Sequence, residues 1–86
     1  MVTKRKGSVM EVDIHGMNPA QARREILQLL DRLPNDVTEL HVIHGYRGGD
    51  SLRSTVQTSL AHPRILRKMQ SFLNEGVTKI FLKGKK

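Results

Sequence analysis

The chain has 86 residues, a length that allows one domain with a single core layer and no separate regulatory domain. It contains no cysteine, which excludes disulfide bonds and thiolate metal sites. Its apolar runs fall short of the roughly 20 residues that a membrane-spanning helix needs, and its basic first residues lack the apolar stretch of a secretory signal. We therefore expect a soluble cytoplasmic protein with no membrane partner.

Charge is the strongest signal in the composition. Fifteen Lys and Arg face eight acidic residues, for a formal net charge of +7. Such an excess favours a polyanionic partner, because each phosphate contact releases a counterion. A basic surface that only keeps the protein in solution is the alternative. Aromatic residues are few, which argues against binding of single strands by base stacking on a sheet of aromatic side chains.

The chain begins with a basic segment followed by a strand. Residues 1–8 are expected to form a basic disordered arm ahead of a domain over residues 9–83. From Val9 to His15 apolar and polar residues alternate, which predicts a strand that Gly16 ends.

A helix follows this strand. Asn18 fits the N-cap, Pro19 the first helical position, and Gln21 the capping box. Apolar residues recur at helical spacing as far as Leu33, and Pro34 ends the helix.

A second strand and a second helix are predicted next. Thr38 to His44 is nearly continuously apolar at its centre, as in a central strand. After a glycine-containing loop, a helix is expected from about Ser51 to Ala61, until Pro63 halts it. Its buried face would be formed by Leu52, Val56 and Leu60.

The last third of the chain is less regular. Apolar residues between Ile65 and Leu73 have helical spacing, a turn follows, and Val77 to Lys83 predicts a final strand before a basic tail at 84–86. Two successive strand–helix units imply an α/β domain with parallel strands, right-handed crossovers and both helices on one face of the sheet.

One tripeptide occurs at the end of both early strands, as Ile14-His15-Gly16 and as Ile43-His44-Gly45. Ligands of open α/β sheets bind at the carboxyl ends of the strands. The repeat therefore places two histidines and two helix starts at the edge where a site is expected.

Asp13 and His15 are the candidate chemical pair. They lie two apart on a strand, so they share a face about 6–7 Å apart along it. An Asp can fix the tautomer of a neighbouring His, which makes a general acid or base. The alternative is an ordinary solvated Asp beside a His that caps a turn.

The loop after the second strand is the candidate phosphate site. Its glycines let backbone N–H groups approach an anion ahead of a helix, and its arginines can pair with phosphate oxygens. The candidate phosphate-binding residues are His44, Gly45, Arg47, Gly48, Gly49 and Arg53. His44 also has the parity of Leu40 and Val42, which favours a buried histidine as the alternative.

No metal site is predicted. His41 and His44 are three apart on a strand and face opposite ways, so they cannot chelate one ion without distortion. No cofactor is expected, although assistance by Mg²⁺ is left open.

Two motifs resemble the signatures of the small MutS-related (Smr) domain family. Residues 12–16 (VDIHG) before the helix start at 18–22 resemble the first signature, and residues 42–45 (VIHG) before Leu52-Arg53 resemble the second. The likeness runs over residues 10–83. On this resemblance the chain is identified as a stand-alone, single-domain member.

The resemblance implies a two-layer α+β sandwich of order β-α-β-α-β-β, like the C-terminal domain of a bacterial translation initiation factor. Two helices would cover one face of a four-stranded mixed sheet. It further implies a strand between Ile65 and Phe72, paired with Val77 to Lys83, in place of the helix that the apolar spacing favours.

The same resemblance implies a function. Family members nick DNA or cleave RNA, some of them at stalled ribosomes, and others only bind. Asp13 and His15 match the candidate catalytic pair, and His44 and Gly45 match the substrate-binding signature. We therefore expect a monomeric endonuclease for structured nucleic acid, RNA ahead of DNA, since a 2′-hydroxyl nucleophile requires no metal.

The sequence departs from the family pattern at two loops. Tyr46-Arg47 separates Gly45 from Gly48, and Asn74-Glu75-Gly76 is poorer in glycine than the usual segment before the closing strand. These departures favour the alternative of a non-catalytic module that docks on RNA, DNA or a ribosome.

Overall fold

The computed structural model describes residues 1–45 and 50–83. It contains five strands and two helices, the second of which continues as a π-helical segment. In chain order these are β1 (Val2–Lys6), β2 (Val9–Asp13), α1 (Pro19–Arg32), β3 (Glu39–Ile43), α2 (Asp50–Ser54) with its π-helical segment (Thr55–Ser59), β4 (Ile65–Gln70) and β5 (Val77–Leu82).

The strands form one mixed sheet in the order β1-β2-β3-β5-β4. β2 and β3 are parallel, with α1 as their crossover, and the other neighbours are antiparallel. β4 and β3 are both antiparallel to β5, so they are parallel to each other and β5 fills the space between them. The two helices and the mixed sheet are as expected, but the sheet has five strands and not four.

The additional strand is β1, in the segment that sequence analysis assigned to a disordered arm. It pairs with β2 from Val2 opposite Asp13 to Lys6 opposite Val9. Gly7, with φ 59°, forms a two-residue hairpin turn with Ser8. All five side chains of β1 are exposed, so the strand carries no hydrophobic signal and its backbone hydrogen bonds hold it in place.

Helix α1 begins as predicted. The Asn18 side chain accepts hydrogen bonds from the backbone N–H groups of Ala20 and Gln21, at 2.9 and 3.3 Å. The expected capping box is replaced by another contact, because the Gln21 amide donates to Glu25 Oε2 at 3.0 Å. The buried face of the helix consists of Ala22, Ile26, Leu29 and Leu30.

The second half of the chain corrects one inference and confirms another. α2 and its π-helical segment bury Leu52, Val56 and Leu60, as expected. Residues 65–70 form a strand, as the family resemblance implies, and the helical spacing there is misleading. That spacing came from apolar side chains that lie on the surface, namely Leu66, Met69, Phe72 and Leu73.

The core lies between the helices and one face of the sheet. Along β3 and β5 every second side chain is fully or almost fully buried, as is Val12 in β2, and these are the residues that face the helices. They are Val12, Leu40, Val42, Thr78, Ile80 and Leu82. Neither of the helices described is long and apolar enough to cross a membrane.

A buried arginine closes the end of α1. Arg64 is 4% exposed and lies just before β4. Its guanidinium donates to four backbone carbonyl groups, those of Leu30 (3.4 Å), Leu33 (2.7 Å), Pro34 (3.3 Å) and Lys83 (3.2 Å). Arg64 thus satisfies carbonyl groups that the helix leaves without an internal partner and ties them to the end of β5.

Replacing Arg64 with Met should lower the free energy of unfolding by about 2–4 kcal/mol, because buried carbonyl groups lose a charged donor. Urea denaturation followed by circular dichroism measures the change. Arg67→Met is the control: Arg67 is exposed and lies 4.7 Å from the centre of the Phe81 ring. Arg67→Met should lower the free energy of unfolding by about 1 kcal/mol or less. Equal effects of the two substitutions would contradict a special role for Arg64.

Candidate active site

The two copies of the Ile-His-Gly tripeptide lie side by side at one edge of the sheet. The Met17 N–H donates to the Ile14 carbonyl at 3.0 Å, which closes the turn after β2. Gly16 and Gly45 both have φ 78°. The similarity that the sequence shows therefore extends to the conformation of the two glycines, which lie at the carboxyl ends of the parallel strands.

The two histidines of the tripeptide nevertheless face opposite ways. The His15 side chain is 70% exposed, whereas His44 is 1% exposed. The cause is the phase of each strand: Ile14 faces the core in β2, but Ile43 faces outward in β3, where His44 continues the buried row. One histidine is thereby available to a ligand and the other is part of the core.

Asp13 and His15 form the pair that their spacing predicts. His15 Nδ1 lies 2.5 Å from Asp13 Oδ1, and the His15 backbone N–H donates to the same oxygen at 3.1 Å. Partial burial acts to raise the pKa of Asp13, but the hydrogen bonds from His15 outweigh it and hold this pKa below its ordinary value of 3.8. Because an ionised carboxylate only accepts, Nδ1 is the donor, and Nε2 is left as the nitrogen that can exchange a proton.

Three loops converge beside His15. A Cβ on Gly45 would lie 3.7 Å from His15 Cβ, so the two predicted signatures are in contact. The Gly76 carbonyl accepts from the N–H groups of His44 and Gly45, at 2.8 and 3.1 Å. A Cβ on Gly76 would lie 3.2 Å from Gly45 Cα, so the backbones pack closely here.

His44 is held by a buried hydrogen-bond network. Its Nδ1 lies 2.6 Å from the Gly45 carbonyl and its Nε2 lies 2.9 Å from Thr78 Oγ1. The carbonyl only accepts, so Nδ1 carries a proton, while Thr78 Oγ1 accepts from Gln57 Nε2 at 2.9 Å and donates its own proton to His44. Burial lowers the pKa of His44 from its ordinary value of 6.5, aided by the nearby charge of Arg53, against the opposing effect of the Gly45 carbonyl. His44 is thus a neutral histidine.

The network extends to the loop between β4 and β5. Gln57 Nε2 also donates to Gln70 Oε1 at 2.8 Å. The Gln70 amide in turn donates to the carbonyl groups of Glu75 and Val77, at 3.0 and 3.1 Å. One continuous set of hydrogen bonds therefore connects the π-helical segment, the turn after β3 and the β4–β5 loop.

The family model of the Smr domain matches residues 12–83. The chain belongs to the Smr family. Smr domains generally bind nucleic acid, and some have nuclease activity. Among solved structures, this Smr domain is similar to the Smr domain of Thermus thermophilus MutS2, with a TM-score of 0.74 and 27% identity over 85% of this chain and 96% of that chain. A search of the curated proteins gave no match.

The structure separates the predicted site residues of this Smr domain into three groups. Asp13, His15 and Gly45 meet at the sheet edge. His44 lies behind that edge, and both of its ring nitrogens have hydrogen-bond partners. Arg53 is half-buried near His44. The predicted phosphate contacts Arg47, Gly48 and Gly49 lie outside the described residues.

The side chains that could hold a metal are dispersed. Within residues 1–45 and 50–83, no three His, Asp or Glu side chains form a group that could hold a metal ion. His41 and His44 face opposite sides of the sheet, as predicted, and His41 Nε2 lies 2.8 Å from Glu39 Oε2.

Sequence analysis missed Thr78, Gln57 and Gln70. Thr78 is at a core position of β5, where a hydroxyl among Val, Ile and Leu is the signal that a buried polar partner exists. Its partners lie 21 and 34 residues away along the chain, so only the fold identifies them.

Thr78→Val should lower the free energy of unfolding by about 1–3 kcal/mol, although it keeps the side-chain shape, because it leaves His44 and Gln57 with unpaired polar groups. Thr78→Ser keeps the hydroxyl, so its free energy of unfolding should be closer to that of the wild type than the value for Thr78→Val. Urea denaturation of the three proteins makes the comparison. A valine variant as stable as the wild type would show that the network contributes nothing to stability.

The neutral state of His44 should make stability fall in mild acid. Its pKa is lower in the folded chain than the ordinary 6.5, so the unfolded chain binds the proton first as pH falls. The contribution of His44 to the free energy of unfolding should therefore be constant about one pH unit above 6.5 and should be lost as pH falls through 6.5. His44→Gln should lose this part of the pH dependence, as measured by urea denaturation from about pH 7.5 to 5. Parallel curves for both proteins would contradict the assignment.

Proposed function

We propose that this Smr domain is an endonuclease that cleaves phosphodiester bonds in structured nucleic acid, RNA in preference to DNA. The observation that carries the proposal is the Asp13–His15 pair, in which the carboxylate fixes the tautomer of an exposed imidazole. This is the arrangement that general acid–base catalysis needs.

On RNA the reaction uses the substrate's own nucleophile. His15 Nε2 takes the proton of the 2′-hydroxyl, the O2′–P bond forms, and the bond from phosphorus to the 5′-oxygen breaks. The resulting imidazolium, stabilised by the Asp13 carboxylate, returns its proton to the leaving 5′-oxygen. The products are a 2′,3′-cyclic phosphate and a 5′-hydroxyl, so the chemistry consumes neither water nor a redox equivalent.

Phosphate binding is proposed for the turn after β3. Gly45 lies against His15, and the proposed contacts continue through Arg47, Gly48 and Gly49 to Arg53. His44 contributes indirectly, because its Nδ1–H holds the Gly45 carbonyl at 2.6 Å and thereby fixes the start of this loop. The net charge of +7 provides the long-range attraction to the polyanion.

His15→Ala should lower the rate of cleavage by about 100- to 10,000-fold, the contribution of a positioned general acid–base group. Asp13→Ala should also slow cleavage, because the tautomer of the His15 imidazole is then no longer fixed. The assay is single-turnover cleavage of end-labelled structured RNA and of supercoiled DNA, with and without Mg²⁺, at protein concentrations that saturate binding.

The chain offers a matched control for this experiment. His62 Nε2 lies 2.7 Å from Asp31 Oδ1, a second histidine–aspartate contact next to Arg64 and remote from the converging loops. His62→Ala should leave the cleavage rate within about twofold of the wild type, far less than the loss of a catalytic group. Saturated binding without cleavage by the wild-type chain would overturn the nuclease and identify a docking module.

A further inference from the structure

The loop between β4 and β5 exposes two adjacent apolar side chains. Phe72 is 96% exposed and Leu73 is 98% exposed. The other exposed large apolar residues, Val2, Leu66 and Met69, lie on β1 and β4. We refer to Phe72 and Leu73, the most exposed of these side chains, as the apolar tip.

The backbone below this tip is well fixed. The Ser71 N–H donates to the Val77 carbonyl at 3.1 Å, and the Val77 N–H donates to the Asn74 carbonyl at 3.1 Å. The Asn74 side chain accepts from the Gly76 N–H at 2.9 Å, and the Gln70 amide binds further carbonyl groups of the loop. These bonds fix the backbone on both sides of Phe72 and Leu73, which lowers the entropic cost of ordering this loop on a ligand.

The tip lies on the same edge of the sheet as His15. Gly76, at the end of this loop, packs against Gly45, which in turn lies against His15. From the end of β2 across β3 and β5 to the end of β4 there are three strand spacings of about 4.8 Å, or roughly 14 Å. That is about four steps of a stacked nucleic-acid strand at about 3.4 Å each.

We propose that Phe72 stacks on an unpaired base of the nucleic acid whose backbone lies at Asp13 and His15. This inference rests on the proposed function and deepens it, because it selects substrates with a flipped or single-stranded nucleotide a few positions from the phosphate at His15. The small number of aromatic residues excludes a stacking sheet, but one exposed ring is sufficient for one base.

A protein partner fits this tip less well. One aromatic side chain buries about 150–250 Å², whereas a standard protein interface buries about 800 Å² on each side. The formal net charge of +7 instead favours a polyanion as the occupant of the tip.

The chain has no tryptophan, so a substitution can create a single fluorescent probe. In Phe72→Trp, tryptophan emission should be quenched on titration with a short single-stranded RNA or DNA oligonucleotide, because stacking brings the base onto the indole. A blunt duplex with the same number of phosphates should quench much less. Leu66→Trp is the matched control: Leu66 is exposed near the opposite end of β4, and its emission should change little.

Affinity gives a second readout at about 0.15 M salt. Phe72→Ala should weaken binding of the single-stranded oligonucleotide by about 5- to 100-fold, the range for loss of one base–aromatic stack. Phe72→Tyr should restore most of it, and blunt-duplex affinity should stay within about twofold for all variants.

These outcomes separate the two proposals. Cleavage that depends on His15 while Phe72→Ala binds single strands like the wild type would overturn the stacking role and leave the nuclease intact. Quenching at Phe72→Trp without cleavage would support stacking and overturn the nuclease. A tip that instead promotes self-association, seen as a concentration-dependent mass lost in Phe72→Ala, would overturn the nucleobase as its occupant.

Discussion

The parallel register between β2 and β3 pairs Asp13 with Ile43 and so decides which side of the sheet each site residue occupies. With this register Ile14 and His44 continue the buried rows of their strands, while Asp13 and His15 face outward. A slip of one residue in either strand would exchange the faces, since side chains alternate along a strand. A slip of β2 would place the Asp13 carboxylate in the core. A slip of β3 would expose His44, whose ring binds the Gly45 carbonyl. The apolar burial of Val12, Leu40 and Val42 is therefore also what orients the chemistry at the edge.

The two ends of the sheet have different physical tasks. At the carboxyl end of β2 and β3 the backbone turns sharply, and Asp13 and His15 remain accessible. At the other end Arg64 saturates the last carbonyl groups of α1. The buried network of His44, Thr78 and Gln57 spans the layer between helix and sheet, close to the first end. The buried network thus stabilises the backbone next to the site, while Asp13 and His15 themselves take no part in the core.

The sequence predicts the strands and helices that have one apolar side and one polar side. The periodicity of apolar residues in β2, β3 and α1 located these elements to within about two residues. The contact of Asp13 with His15 followed from the same alternation, which gave the burial of His44 only as the alternative to a phosphate contact. The apolar spacing around β4 wrongly favoured a helix, because it was formed by the exposed side chains of Leu66, Met69, Phe72 and Leu73. β1 was not predicted, because a strand that is exposed on both sides shows no alternation of apolar and polar residues. The hairpin sequence Gly7-Ser8 was the available signal for it. The partners of Arg64 and Thr78 lie 19 to 34 residues away along the chain, which local patterns do not reach.

The position of β1 also affects how the molecule behaves among its own copies. β1 is the outer strand of the sheet and covers the backbone donors and acceptors of β2, which would otherwise form an open edge. Its own outer edge carries Lys4, Arg5 and Lys6, and like charges on an edge strand oppose pairing with the same strand of another molecule. The basic segment thereby protects a concentrated solution of this domain against growth of a continuous intermolecular sheet. The positive charge of β1 therefore also acts between identical chains, where it is repulsive.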